Sequence, residues 1–208
     1  MEQIFVGQHI CKDRLSDAFI SKLNNLIDDE LNRKAEIDYS NKLSGKIKKE
    51  YDVAHFIRQN VLQKELSLII ENAFHSYIHD PVFQWHIKFD SAWGNDQRKH
   101  EYQIVHQHSG DSPLGFSTII YLKVPETFGP EFTETAHPTN GRTVLIGNCG
   151  GQLAETYYQI EPNVGDIYVF PYDMKHIVYP FLGEGMRRTV SCNFDLVGTR
   201  RKSKGIFI

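Results

Sequence analysis

The spacing of apolar positions changes along the chain. Leu15, Phe19, Ile20, Leu23, Leu26, Ile27 and Leu31 recur every three or four residues, with polar residues between them. That is the pattern of a helix with one buried face, and Asp13 or Ser16 stands where its cap belongs. A second helical pattern runs through Leu62, Leu66, Ile69, Ile70, Ala73, Phe74 and Tyr77 and ends at Asp80-Pro81, because proline disfavours helix in the residue before it. Between the two lies a polar stretch from Tyr39 to Tyr51 with Lys42, Lys46, Lys48 and Lys49. It reads either as a solvated loop or as a lid over a substrate.

From Val82 the period becomes two. Phe83, Trp85, Ile87 and Phe89 alternate with Gln84, His86 and Lys88. Further strands are expected near 101–108, 116–124, 142–148, 155–161, 166–171, 175–180 and 187–196, with turn signals such as Asn140-Gly141, Gly165-Asp166 and Gly183-Glu184-Gly185 between them. About eight short strands at this spacing predict an α+β, mainly β chain. The architecture expected is a double-stranded β-helix (jelly roll) with N-terminal helices packed on one sheet. The whole chain, 1–208, reads as a single domain, with a helical support region over 1–81 and a jelly-roll core over 82–197.

Composition narrows the function classes. The chain has 23 basic and 26 acidic residues and a net charge of −3, which argues against a dedicated nucleic-acid binder. No apolar run approaches the ~18–20 residues of a membrane span, and the first residues carry no secretory pattern. Cys11, Cys149 and Cys192 are widely spaced with no CxxC, so a disulfide framework or thiolate zinc site is not expected and a reducing, cytoplasmic setting is. Histidine is the unusual residue: there are 10, unevenly spread.

His106-Gln107-His108 closes the strand that begins at Glu101-Tyr102. Strand alternation puts Tyr102, Ile104, His106 and His108 on one face. Two imidazoles at i and i+2 can share one metal ion; in a histidine-rich chain they can also be a chance pair. His176 alone would read as a core or surface histidine. Downstream, Arg187, Thr189, Ser191 and Asn193 share one strand face, and Arg188, Val190, Cys192 and Phe194 share the other. The polar face is either the wet side of an edge strand or the wall of an internal polar cavity. In the second case Arg187 would hold a carboxylate in a forked, charge-assisted pair, and Thr189 would add a hydroxyl.

Together these segments resemble the iron(II)- and 2-oxoglutarate-dependent oxygenase superfamily over about residues 82–197. The resemblance is carried by His106-Gln107-His108-Ser109-Gly110, by Ser117-Thr118-Ile119-Ile120-Tyr121-Leu122, by Gly165-Asp166-Ile167-Tyr168-Val169-Phe170-Pro171 and by His176-Ile177-Val178-Tyr179-Pro180-Phe181, followed by Arg187-Arg188-Thr189. It is similar in detail to a His-x-His subgroup found in bacterial and phage genomes. The resemblance implies iron bound by His106, His108 and His176, 2-oxoglutarate held by Arg187 and Thr189 with Tyr102 and Asn193 nearby, and molecular oxygen as the third reactant. It implies a hydroxylase that couples decarboxylation of 2-oxoglutarate to C–H oxidation of an unidentified substrate, either a small molecule or a protein side chain. The superfamily's usual carboxylate ligand falls at His108. Three ligand sets fit the pattern: an all-imidazole triad completed by His108, a carboxylate supplied from the turn by Asp111, or two histidines alone; strand parity, which puts His108 on the ligand face, favours the first. The Glu126–Gly141 loop, with Pro130, His137 and Pro138, and the Lys42–Lys49 segment are candidates for the cavity rim; Cys149-Gly150-Gly151 reads first as a plain hairpin turn and second as part of that rim. Two other functions compete: a cupin-like three-histidine metalloenzyme without 2-oxoglutarate, and a non-catalytic jelly-roll binding module.

Overall fold

The structure is a computed structural model that describes residues 7–33, 45–78, 83–130, 139–148, 150–152 and 154–200. Its helices are α1 (Asp17–Arg33), α2 (Ala54–Ile57) and α3 (Asn60–Tyr77). Its strands are β1 (Cys11–Arg14), β2 (Glu50–Asp52), β3 (Phe83–Gln97), β4 (Gln103–His106), β5 (Gly115–Lys123), β6 (Thr143–Ile146), β7 (Tyr157–Ile160), β8 (Asp166–Pro171), β9 (Lys175–Val178) and β10 (Arg187–Arg200). They form two antiparallel sheets, a six-stranded one in the order β1-β8-β5-β10-β3-β2 and a four-stranded one in the order β4-β9-β6-β7. The mainly β jelly roll expected from the strand spacing is present. No helix among the described residues is long and apolar enough to cross a membrane.

The helices cover the outer face of the six-stranded sheet. Ser16 caps α1: its Oγ accepts the Phe19 N–H at 3.1 Å and donates to Glu65 Oε2 at 2.8 Å, which ties the start of α1 to α3. Phe19, Ile20, Leu23 and Ile27 from α1 and Leu62, Leu66, Ile69, Ile70 and Ala73 from α3 form one core with Ile120, Leu122, Ile167, Val169, Val190, Cys192, Phe194 and Leu196. A second, smaller core lies between the sheets, from Ile119, Tyr121, Leu145, Ile160, Tyr168, Phe170 and Met174. Successive residues of β5 and β8 thus serve opposite cores. A strand covered on both faces needs apolar residues at every position, and Ile119 to Leu122 and Ile167 to Phe170 are such runs.

Three elements of the first third escape its helical reading: β1, β2 and α2. The β1 strand, Cys-Lys-Asp-Arg, has no apolar alternation, and its pairing with β8 comes from the edge of a sheet built elsewhere. In the lysine segment, Lys46, Lys48 and Lys49 are exposed while Ile47 is buried. Gly45 makes a bridge with Gln103, so the segment runs along the open edge of β4. Asp80-Pro81, Lys42, Cys149, and residues 131–138 of the candidate rim loop lie outside the described residues.

Candidate active site

Adjacent strands of the smaller sheet bring the histidines together. In the β4–β9 pair His106 lies directly opposite His176, and His108 follows two residues later on the same face. Ring centroids are 4.1 Å apart for His106 and His176, 4.8 Å for His108 and His176, and 5.6 Å for His106 and His108. One nitrogen from each can be chosen so that all three lie within 4.8 Å of one another. The Nδ1 atoms are already engaged: His106 with the Ile104 carbonyl at 2.7 Å, His176 with the Met174 carbonyl at 3.3 Å, and His108 with Ser117 Oγ and with Asn193 Oδ1 at 3.3 Å. A carbonyl only accepts, so His106 and His176 carry their proton on Nδ1 and keep the Nε2 lone pair. Burial pushes all three away from the charged form. His106 lies below its ordinary range, His108 is pushed down to about 3 with help from the neighbouring His106, and His176 lies well below its ordinary value. Neutral imidazoles with free Nε2 atoms are a suitable donor set for a transition metal.

The larger sheet supplies the opposite wall. In the β3–β10 register Arg187 faces Gln97, Thr189 faces Asn95 and Ser191 faces Trp93. The polar face of β10 points inward: Arg187, Thr189 and Ser191 line one cavity with His106, His108 and His176, together with Trp93, Asn95, Gln103, Ile119, Thr143 and Val178. Its apolar face meets the helices.

Arg187 is 2% exposed. Nη1 donates to the Gly141 carbonyl at 2.6 Å, the guanidinium stands 5.8 Å from the Tyr121 ring centroid, and buried Nε has no partner. No described carboxylate forms an ion pair with it, and burial pushes its pKa down. The adjacent Arg188 shows the contrast on the other face of the strand. Its Nε and Nη2 fork onto Asp96 at 2.6 and 2.8 Å, and Nη1 reaches Asp28 at 2.6 Å. One buried arginine is saturated with acid, and its neighbour in the cavity pairs with no carboxylate among the described residues.

Several residues are placed differently from the expectation. Tyr102 is 39% exposed and absent from the cavity wall, where Gln103 stands instead. The cause is a β-bulge: Gln103 pairs with Val178 and His106 with His176, so one extra residue on β4 resets the alternation before the histidines. Asn193 is buried beside the site but bonds to His108 and to Ser109, not into the cavity. Asp111 does not join the imidazoles. Its exposed carboxylate pairs with Lys88 at 3.0 Å and clusters with Asp90 and Asp195. Asn95, Gln103 and Thr143, which also line the cavity, carried no assignment from sequence. The polar run Asn95-Asp96-Gln97 inside a sheet strand was the one signal pointing to that wall.

The family model described as "Putative 2OG-Fe(II) oxygenase" matches residues 91–193, a span that contains the three histidines and Arg187. The chain belongs to the 2-oxoglutarate- and iron(II)-dependent oxygenases. This family uses iron(II), 2-oxoglutarate and molecular oxygen, and its members are oxidoreductases. No curated protein matches the sequence of this oxygenase. Its fold is shared with a Pseudomonas putida prolyl-4-hydroxylase (TM-score 0.58, 13% identity, 94% of each chain covered). It is shared with a viral collagen prolyl hydroxylase of Paramecium Bursaria Chlorella virus-1, solved as a 2-oxoglutarate complex (TM-score 0.56, 15% identity, 89% of this chain and 94% of that one). It is also shared with HygX from Streptomyces hygroscopicus, solved with nickel and 2-oxoglutarate bound (TM-score 0.57, 9% identity, 90% and 82%).

Proposed function

We propose that this oxygenase is a hydroxylase whose iron is held by His106, His108 and His176 and whose 2-oxoglutarate is held by Arg187, and that it oxidises a C–H bond of a small molecule or a protein side chain. The carrying observation is Arg187: a fully buried guanidinium with no carboxylate beside it among the described residues, in the same cavity as three clustered imidazoles. Leaving a charge in that state costs several kcal/mol unless an anion completes it. A dicarboxylate with one end at Arg187 supplies that anion, and Thr189 adds a hydroxyl from the next inward position of β10. The cosubstrate and iron supply the oxidising chemistry when bound. The chain's own part is to present neutral nitrogen donors, to orient the cosubstrate by its far carboxylate, and to keep water out with the two packed sheets. Neither alternative raised by the sequence gives Arg187 a partner.

The test is anaerobic titration of the protein with iron(II) and 2-oxoglutarate, following the weak visible charge-transfer band of the ternary complex. The band is expected in wild type, absent in His176→Ala and shifted to much higher 2-oxoglutarate concentration in Arg187→Ala. Iron binding with no band at any 2-oxoglutarate concentration would sink the proposal.

A further inference from the structure

Two of the imidazoles are oriented by the backbone just ahead of them. Ile104 and Met174 each lie two residues before the histidine they serve, and their carbonyls reach its Nδ1. His108 lies beyond the end of β4 and has no such carbonyl; its Nδ1 faces two side chains, Ser117 on β5 and Asn193 on β10. Those residues are direct partners across the sheet, and both are buried.

The amide of Asn193 can stand only one way round. Its Nδ2 donates to the Ser109 carbonyl at 3.2 Å; turned over, oxygen would face oxygen. Oδ1 therefore points at Ser117 Oγ, which donates to it, and at His108 Nδ1 at 3.3 Å. Asn193 Oδ1 can only accept, and Ser117 Oγ has given its hydrogen to Oδ1. The hydrogen between this pair and His108 then belongs to the imidazole. A carboxylate ligand would need no such arrangement, because either oxygen can bind. A neutral imidazole offers a lone pair from one nitrogen only.

We propose that Asn193 and Ser117 are positioning residues that hold His108 in the Nδ1–H tautomer, leaving Nε2 as its ligand atom, so that a histidine can serve as the third iron ligand. The inference rests on the iron site proposed above and deepens it. It makes the tautomer of His108 a property of two residues that touch neither metal nor substrate, whereas those of His106 and His176 are properties of local backbone.

The test reads the tautomers directly, by long-range 1H–15N correlation of the histidine rings in metal-free protein, beside anaerobic iron(II) affinity without turnover. Wild type is expected to show all three histidines as Nδ1–H. The Asn193→Ala, Ser117→Ala double variant is expected to lose that form at His108 alone, with His106 and His176 unchanged, and to bind iron(II) roughly 10–100-fold more weakly. The unchanged pair shows that the sheet is intact, a selectivity that general loosening would not give. Wild type that binds iron(II) with His108 as Nε2–H would overturn the positioning role while leaving the iron site standing, and so would a double variant in which His108 stays Nδ1–H at wild-type affinity. Wild type that binds no iron(II) would overturn the site itself and this inference with it. The wild-type spectrum decides even if the double variant does not fold.

Discussion

Replacing Arg187 by methionine separates a binding role from a structural one, because the two predict opposite signs. The guanidinium is 2% exposed, with one hydrogen bond, to Gly141, and an unpartnered Nε. Without cosubstrate this is a buried charge with no anion among the described residues, a state that costs several kcal/mol. The substitution relieves that cost, keeps similar side-chain length, and leaves the buried Gly141 carbonyl unmatched at about 1–3 kcal/mol. The two changes oppose, so cosubstrate-free Arg187→Met should be within about 1 kcal/mol of wild type or more stable. With cosubstrate the sign reverses. Removing one partner of a buried, hydrogen-bonded charge pair costs roughly 3–5 kcal/mol, which is about two to nearly four decades in the 2-oxoglutarate dissociation constant. Thermal unfolding with and without saturating 2-oxoglutarate, on anaerobic iron(II)-loaded protein, reads both quantities: wild type gains stability from the ligand and the variant does not. A variant that unfolds more than about 2 kcal/mol more easily without 2-oxoglutarate, yet binds it within about threefold of wild type, would refute the reasoning and make Arg187 a structural residue.

Two further outcomes follow from the same geometry. Asp96 holds the fork of Arg188 and accepts the Tyr51 hydroxyl at 2.8 Å, so Asp96→Ala should lower the urea unfolding free energy by roughly 3–5 kcal/mol; a loss under about 1 kcal/mol would mean that the ion pair is not doing what its burial implies. Burial holds His106, His108 and His176 below the ordinary histidine value of 6.5 in the folded protein, so below that pH the unfolded chain binds more protons than the metal-free native state. The stabilisation is complete above pH 6.5 and fades as pH falls, through about 3 for His108, with a slope near 1.4 kcal/mol per pH unit for each histidine. His108→Gln should therefore flatten the stability–pH curve between pH 6 and 4 by about that slope, and parallel curves would count against it.

How far the site could be read from sequence depended on whether its geometry was local. The two faces of β10 were legible because fourteen residues of regular strand preserve the alternation, and the apolar face then had to meet the helices. His106 and His108 were legible for the same reason over a shorter run. Tyr102 was misplaced because the parity count passed through the bulge between Gln103 and His106, which no residue type announces. The second half of β3 was missed because its inward positions, Trp93, Asn95 and Gln97, are mostly polar and Gly94 interrupts the pattern; only its pairing with β10 shows Trp93 and Asn95 to be cavity wall. Asp111 was a reasonable ligand candidate by distance along the chain. Lys88, Asp90 and Asp195, all distant in sequence, place it in a different cluster. Tyr121 and Ser117 were visible as parts of a motif, but their roles are set across strands, at Arg187 and at His108.

The charge of this cavity is the feature that most distinguishes it. The three imidazoles are neutral, Arg187 is cationic, and no described residue lining the cavity is acidic. With a divalent cation present the site carries three positive charges for an incoming dianion, where a carboxylate ligand would leave two. A unit charge at about 4 Å, in an environment of effective dielectric near 20, is worth about 4 kcal/mol. Part of that difference must appear when His108 is replaced by aspartate. The His108→Asp variant, in which the Ser117 hydroxyl can turn to the new carboxylate, should bind iron(II) more tightly and 2-oxoglutarate at least tenfold more weakly than wild type. Its Fe(III)/Fe(II) potential should fall, because a negative ligand favours the higher charge. The opposing shifts in metal and cosubstrate affinity separate an electrostatic effect from damage, which would weaken both. Anaerobic iron(II) titration followed by 2-oxoglutarate calorimetry measures the two affinities on one sample. A variant that binds 2-oxoglutarate as tightly as wild type would show that the neutral third imidazole contributes nothing to capture of the dianion.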